Sequence, residues 1–235
     1  MARCATSWRW RCDIKPVGYL FHRTEGLDGE RGIYYNYVLA SNGLFIEAEN
    51  KLIAARIPIA GCDVRGLAPL KTKFILTYGS IPQRFFDLSL NMFLADTTRE
   101  HYIAVVGDAG YHFYIPVQEK EGGNVIYEFG DRVVLDMHSH AHMGAFFSSR
   151  DNEDEKGLKV YGVAGNLGGT PVVKLRLGVY GYYLPLSWRD VFDGCLVGAV
   201  ENEEKEVIGE DELQSVAGKF AGGLPHHSSW LWWYW

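Results

Sequence analysis

The sequence predicts a mixed α and β fold, α/β in the broad sense and α+β in detail. The expected layout is a central mixed sheet flanked by helices, with a small β-rich unit at the N-terminal side. Three observations predict it. Short runs of β-branched and aromatic residues recur along the chain, bounded by Gly, Asn, Asp and Pro. Apolar residues at helical spacing occur near residues 82–95 and 188–200. Between about residues 70 and 190 helix and strand signals alternate. The 235 residues, 47% of them hydrophobic and 14% aromatic, are ample for a packed core.

Residues 1–13 alternate arginine, tryptophan and small residues. They lack the continuous apolar core of a signal peptide and read as a loosely ordered leader. Residues 14–65 read as the small β-rich unit. Tyr34 to Ala40 is an aromatic and β-branched run, and Asn42-Gly43 is a hairpin signal, because both central positions of a type I′ turn need positive φ. Leu44 to Ala48 and Leu52 to Ile59 read as strands around Glu49-Asn50-Lys51. Gly61 to Pro69 is rich in turn formers and marks a boundary.

The larger unit is expected over residues 66–200. Ser80 caps a helix that Pro82 enters near its first turn, with Phe86, Leu90, Phe93 and Leu94 on one face. Ile103 to Val106 and His112 to Val117 are strands joined by Asp108-Ala109-Gly110. Gly122-Gly123-Asn124 turns the chain into Val125 to Phe129, and Val133 to His138 is a further strand. Ser148-Ser149-Arg150-Asp151 has a capping-box pattern that opens a helix with a charged run to Lys156. Val160 to Ala164, Val172 to Val179 and Tyr182 to Leu184 are strands, with Gly168-Gly169 as a turn. Trp188 to Val200 reads as helical. Residues 201–235 form an acidic segment and a tail ending in four tryptophans and a tyrosine among its last six residues.

A net charge of -6 and a pI near 5.8 offer no broad electrostatic grip on nucleic acid, and no direct nucleic-acid binding is expected. Four scattered cysteines form no Cys-x-x-Cys pair, so a thiolate metal site is not indicated, and so few suit a reducing cytoplasm. No apolar run is long enough to span a bilayer. The expected location is cytoplasmic, with no membrane role. The composition is silent on oligomeric state.

The chemistry is concentrated in residues 138–151, His-Ser-His-Ala-His-Met-Gly-Ala-Phe-Phe-Ser-Ser-Arg-Asp. On an extended backbone, side chains two apart point to the same face, so His138 and His140 can converge on one ion. Asp151 can return as a third ligand if the chain folds back. Three nitrogen and oxygen ligands with a fourth position for water is the layout of a catalytic Zn2+ site. His142 continues the alternation and could reach the metal from a straight strand, or stand exposed. Asp136 shares the strand face of His138 and could orient an imidazole, or be an ordinary surface carboxylate.

His-x-His, seven residues, then Ser-x-x-Asp resembles the motif of the JAB/JAMM (MPN-plus) zinc metalloprotease family. That family usually has proline after the second histidine, where this chain has Ala141. It also has a glutamate on an upstream segment, a place that Glu100 fits, between a helix signal and an apolar strand ending in Gly107. Glu119, Glu121 and Glu128 are less suitably placed. Tyr37-Val-Leu-Ala-Ser-Asn-Gly-Leu-Phe45 and Val64-Arg-Gly-Leu-Ala-Pro-Leu70 are in addition similar to the protein A family of the bacterial PRTRC system, a gene cluster of mobile elements that includes a ThiF-like protein.

The resemblance implies a JAB/MPN-type domain in which His138, His140 and Asp151 hold Zn2+, Glu100 is the general base and acid, and Ser148 donates to the oxyanion. It implies a deubiquitinase-like hydrolase that cuts a peptide or isopeptide bond at the C-terminal tail of a ubiquitin-like or other small protein, with a ThiF-like protein as a further partner. The non-enzymatic alternative is a JAB-fold scaffold in a mobile-element system. A cupin would need a glutamate soon after the second histidine, and a zinc deaminase would need Pro-Cys-x-x-Cys; neither is present.

Overall fold

Two sheets, each mixing parallel and antiparallel pairs, run through residues 15–116 and 132–202, the residues that the computed structural model describes. The first sheet contains β1 (Val17–Arg23), β2 (Gly26–Glu30), β3 (Tyr35–Ala40), β4 (Gly43–Glu49), β5 (Ile53–Ala60) and β6 (Lys73–Leu76), in the order β2-β1-β3-β4-β5-β6. Only β1 and β3 pair in parallel; the other neighbours are antiparallel. Helix α1 (Gln83–Ala95) follows.

The second sheet contains β7 (Tyr102–Gly107), β8 (Tyr111–Tyr114) and β9 (Val133–Ser139). After the short helix α2 (Ser149–Asp154) come β10 (Leu158–Gly165), β11 (Val172–Val179) and β12 (Tyr182–Leu186). The order is β12-β11-β10-β9-β7-β8, with β9 and β10 parallel. Helix α3 (Trp188–Val191) and β13 (Val200–Glu201), beside β11, close the described chain. The class is therefore α+β with two mixed sheets and few helices.

The two sheets and α1 share one core. Ile46 and Ile57 of the first sheet, Phe86 and Phe93 of α1, and Ile103, Leu135 and Met137 of the second are all at most 1% exposed. Burying each such side chain contributes about 1.5–3 kcal/mol. The continuous apolar runs of β7 and β9 follow from their central position, covered on both faces. Among the described residues no helix is long and apolar enough to cross a membrane.

Several local expectations change in the folded chain. The β3–β4 hairpin forms, but its two-residue loop is Ser41-Asn42, with Ala40 opposite Gly43. Asn42 does not adopt positive φ. Its side chain instead bonds both backbone groups of Leu70, at 2.8 and 2.9 Å, and that tertiary tie sets the turn. Pro82 itself is the N-cap of α1, not Ser80, and no side chain caps it. Leu94 is 42% exposed; the buried face is Phe85, Phe86, Ser89, Leu90 and Phe93.

The helix expected over residues 188–200 stops after Val191. Phe192 is extended and bridges Ile81, and Asp193 Oδ1 accepts the N–H of Gln83 at 2.8 Å. Gly194 then lies so close to the Gln83 side chain that a Cβ there would overlap it. Docking on the start of α1 outweighs the local helical pattern. Strands β1, β2 and β6 are additional elements of the first sheet. The expectations for residues 1–13, the turn at 122–124, the strand at 125–129 and nearly all of the segment 201–235 lie outside the described residues.

Candidate metal centre

Strand β9 carries His138 at its end, and the backbone continues to His140, whose N–H donates to the Ala164 carbonyl at 2.7 Å. β9 is paired with β7 on one side and with β10 on the other, which fixes this strand in the interior of the sheet. Both imidazoles are buried, 5% and 4% exposed. Ala141 then turns the chain with φ +50°. The Met143 carbonyl accepts the N–H of Asn166, and the Ala141 carbonyl that of Leu167. Gly165 lies directly against this loop: a Cβ there would come within 2.3 Å of the Ala145 nitrogen.

The loop returns the chain to α2, whose N-cap is Ser148. The capping box read from the sequence is formed. Ser148 Oγ accepts the Asp151 N–H at 3.2 Å, and Asp151 Oδ2 accepts the Ser148 N–H. The other carboxylate oxygen, Oδ1, lies 3.6 Å from His138 Nε2. The two oxygens of Asp151 thus have separate tasks, one in the cap and one toward the histidines.

His138 Nε2 and His140 Nε2 are 3.0 Å apart, and with an Asp151 oxygen they form one group whose ligand atoms all lie within 4.8 Å of one another. Neighbouring ligands of a tetrahedral Zn2+ with bonds of about 2.0–2.1 Å stand about 3.3 Å apart. The observed separations of 3.0 and 3.6 Å bracket that value. His140 Nδ1 lies 3.3 Å from the Gly144 carbonyl, which places the ring proton there and leaves the Nε2 lone pair facing the other ligands. Burial pushes His138 down to about 4, against the pull of Asp151 and with repulsion from His140 and Arg176. It is therefore neutral near pH 7, as a ligand must be. The donor set fits a borderline cation such as Zn2+.

These residues open on a cleft of about 520 Å³. Glu100 and Ser148, the other two residues singled out from sequence, line it too. Glu100 precedes β7 and is exposed. It accepts the Tyr102 hydroxyl at 3.3 Å. Tyr102 stands opposite His138 in the β7–β9 register, and its ring stacks on the imidazole, centroids 5.5 Å apart and planes at 25°. Burial and the Glu100 carboxylate push the Tyr102 phenol up to about 12, so it remains a donor. Asp136 lines the cleft wall, whereas His142 lies 3.5 Å from Thr97 Oγ1, packs beside Gly168 and is outside the ligand group. Glu119, Glu121 and Glu128 lie outside the described residues.

Sequence reasoning did not find Tyr102 or Arg176. Arg176, 7% exposed on β11, bonds Asn152 and Glu155 and lies between the rings of Phe147 and Tyr183. The one signal in the sequence is a cation flanked by two leucines inside a strand, Leu175-Arg176-Leu177. No protein-family model matches the chain, and no curated protein matches it.

Proposed function

We propose that this protein is a JAB/JAMM-type zinc peptidase or isopeptidase that hydrolyses a bond at the extended C-terminal tail of a ubiquitin-like or other small partner protein. The observation that carries the reading is the convergence of His138, His140 and Asp151 into one ligand group, with Glu100 and Ser148 on the same cleft. The JAB-type arrangement and the PRTRC affinity belong to the same proposal and rest on the motif order.

His138, His140 and Asp151 Oδ1 would hold the ion. A bound Zn2+ supplies Lewis acidity, bringing the pKa of water from 15.7 to about 7. Glu100 takes a proton from the water that attacks the carbonyl carbon and returns it to the leaving nitrogen, a role worth roughly 10²–10⁴-fold. The Tyr102 hydroxyl orients Glu100 through its bond to Oε2. Ser148 Oγ accepts from Asp151 N–H, and among the described residues nothing takes its hydroxyl hydrogen. That hydrogen is available to the developing oxyanion, a contact worth about 2.7–4 kcal/mol.

The cleft is lined by Tyr102, Asp136, His138, Lys159 and Tyr161 of β7, β9 and β10 and by the 140–148 loop with α2, a composite lining that suits an extended polypeptide. Glycines at the scissile bond would bring least crowding. The test is to incubate the zinc-loaded protein with small β-grasp-like proteins extended or conjugated at their C-termini and to follow cleavage by mass spectrometry. Cleavage that needs both the metal and Glu100 supports the reading. A protein that binds zinc and cleaves none of these substrates points to the scaffold alternative.

A further inference from the structure

We propose that Arg176 is a positioning residue of the metal centre, and that it sets the place of Asp151 by clamping α2 to the sheet. The inference rests on the reading of His138, His140 and Asp151 as a ligand group.

The need for a clamp comes from α2 itself. It has six residues and buries none of them. A helix this short is not stable on its own, because nucleation costs more than a turn or two of hydrogen bonds returns. Most helices in proteins are held by an apolar face, and α2 has none. Yet its Asp151 must stand within ligand distance of two histidines fixed in a central strand.

Two devices hold α2. The Ser148 cap closes its N-terminal end. Arg176 holds the rest: Nη1 donates to Asn152 Oδ1 at 2.6 Å, and Nε donates to Glu155 Oε2 at 3.0 Å, with Nη2 on the same oxygen. Asn152 follows Asp151 directly, and Glu155 donates its N–H to the Asp151 carbonyl at 2.8 Å. The guanidinium also lies 3.7 Å from the ring centre of Phe147, the residue before the cap. Arg176 therefore touches the chain on both sides of Asp151.

The clamp is itself rigid. Arg176 is paired on one side with Tyr161 of β10 and on the other with Pro185 of β12. The Tyr183 ring covers the second face of the guanidinium at 3.8 Å, and its hydroxyl bonds the Asn152 and Glu155 carbonyls at 3.1 and 2.9 Å. Planar stacking plus a fork of donors is what arginine offers and lysine lacks.

The test is a titration of the full chain with Co2+, read by visible absorption, beside thermal unfolding of the metal-free protein. Three variants are compared with wild type: Arg176→Lys, Asn152→Ala and His138→Ala. Asn152 is exposed, so Asn152→Ala removes one arm of the clamp without emptying the interior. The expected result is a 10–100-fold loss of Co2+ affinity in Arg176→Lys, the range typical for groups that hold ligands in place. Asn152→Ala should lose several-fold while still unfolding cooperatively, and the d–d absorption of bound Co2+ should change shape in both. Wild-type affinity and spectrum in Asn152→Ala and in any folded Arg176→Lys overturn the proposal while leaving the metal reading intact. Wild-type protein that takes up no Co2+, or His138→Ala that takes it up equally, overturns the metal reading and this inference together.

Discussion

His101 and Ser139 hold each other through two reciprocal hydrogen bonds. The His101 N–H donates to Ser139 Oγ at 3.0 Å, and the Ser139 N–H donates to the His101 carbonyl at 2.9 Å. Both residues are buried, Ser139 completely. Ser139 stands between His138 and His140, and His101 follows Glu100. The bond pair therefore fixes the entry of β7 against the end of β9, and with it the place of the carboxylate. Ser139→Ala leaves a buried N–H without its acceptor, at a cost of about 1–3 kcal/mol. Urea denaturation should show that loss, while zinc content by elemental analysis stays at the wild-type level.

One zinc per chain is expected in metal-replete protein. His138→Ala and Asp151→Ala should each strip it, because each removes one of three ligands. Elemental analysis of the three proteins checks this. Full occupancy in either variant would show that the ion sits elsewhere.

Glu100→Gln separates binding from hydrolysis. Glu100 is outside the ligand group, so zinc content should be unchanged. Turnover should fall roughly 10²–10⁴-fold, because an amide cannot accept the proton. Wild-type turnover in this variant would mean that another group is the base. Tyr102→Phe should give a smaller loss, since it removes only the hydroxyl that bonds Oε2.

Ala141 has φ +50°, where a residue with Cβ is strained by roughly 1–2 kcal/mol. Ala141→Gly should raise the unfolding midpoint, with a gain of about 1 kcal/mol or less after the entropy of glycine is set against it. Ala141→Pro should destabilise the protein and weaken zinc binding, because proline requires φ near −65°. The residue usual in the resembling family is thus incompatible with the loop that this chain forms. Denaturant midpoints of the two variants decide the sign.

Glu47 makes stability depend on acid. Burial raises its carboxyl, but hydrogen bonds and charge from Arg56, then Arg31, outweigh it and hold the group below the ordinary glutamate value. A lowered folded pKa contributes stability that is present above the unfolded value, about 4.3, and is lost as pH falls through the folded one. Glu47→Gln should flatten the fall in stability below about pH 4.5, as measured by urea unfolding across pH.

The convergence of His138, His140 and Asp151 was legible because residues 138–151 encode it locally. A period of two delivers the histidines, and the Ser148 cap signal delivers the aspartate. Glu100 was legible from its position before an apolar strand, although only the Tyr102–His138 register brings it to the cleft. Arg176 and Tyr183 were not, because nothing in β11 or β12 says which short helix packs on them. Strand β2 was not readable either: Gly26-Leu-Asp-Gly-Glu30 is exposed throughout and owes its conformation to pairing with β1. The early end of α3 came from its docking on Ile81 and Gln83.

The absence of any buried residue in α2 also has a kinetic meaning. Regions that bury little open first, well below the free energy of global unfolding. The amide hydrogens of Asn152 and Glu155 should exchange with solvent long before those of β9, which is paired on both sides. Two speeds are therefore expected at the site: His138 should follow the doubly paired β9, and Asp151 the short helix. A chelator should then remove a bound ion at the rate at which one short helix opens, a rate to be compared with exchange of the Asn152 amide.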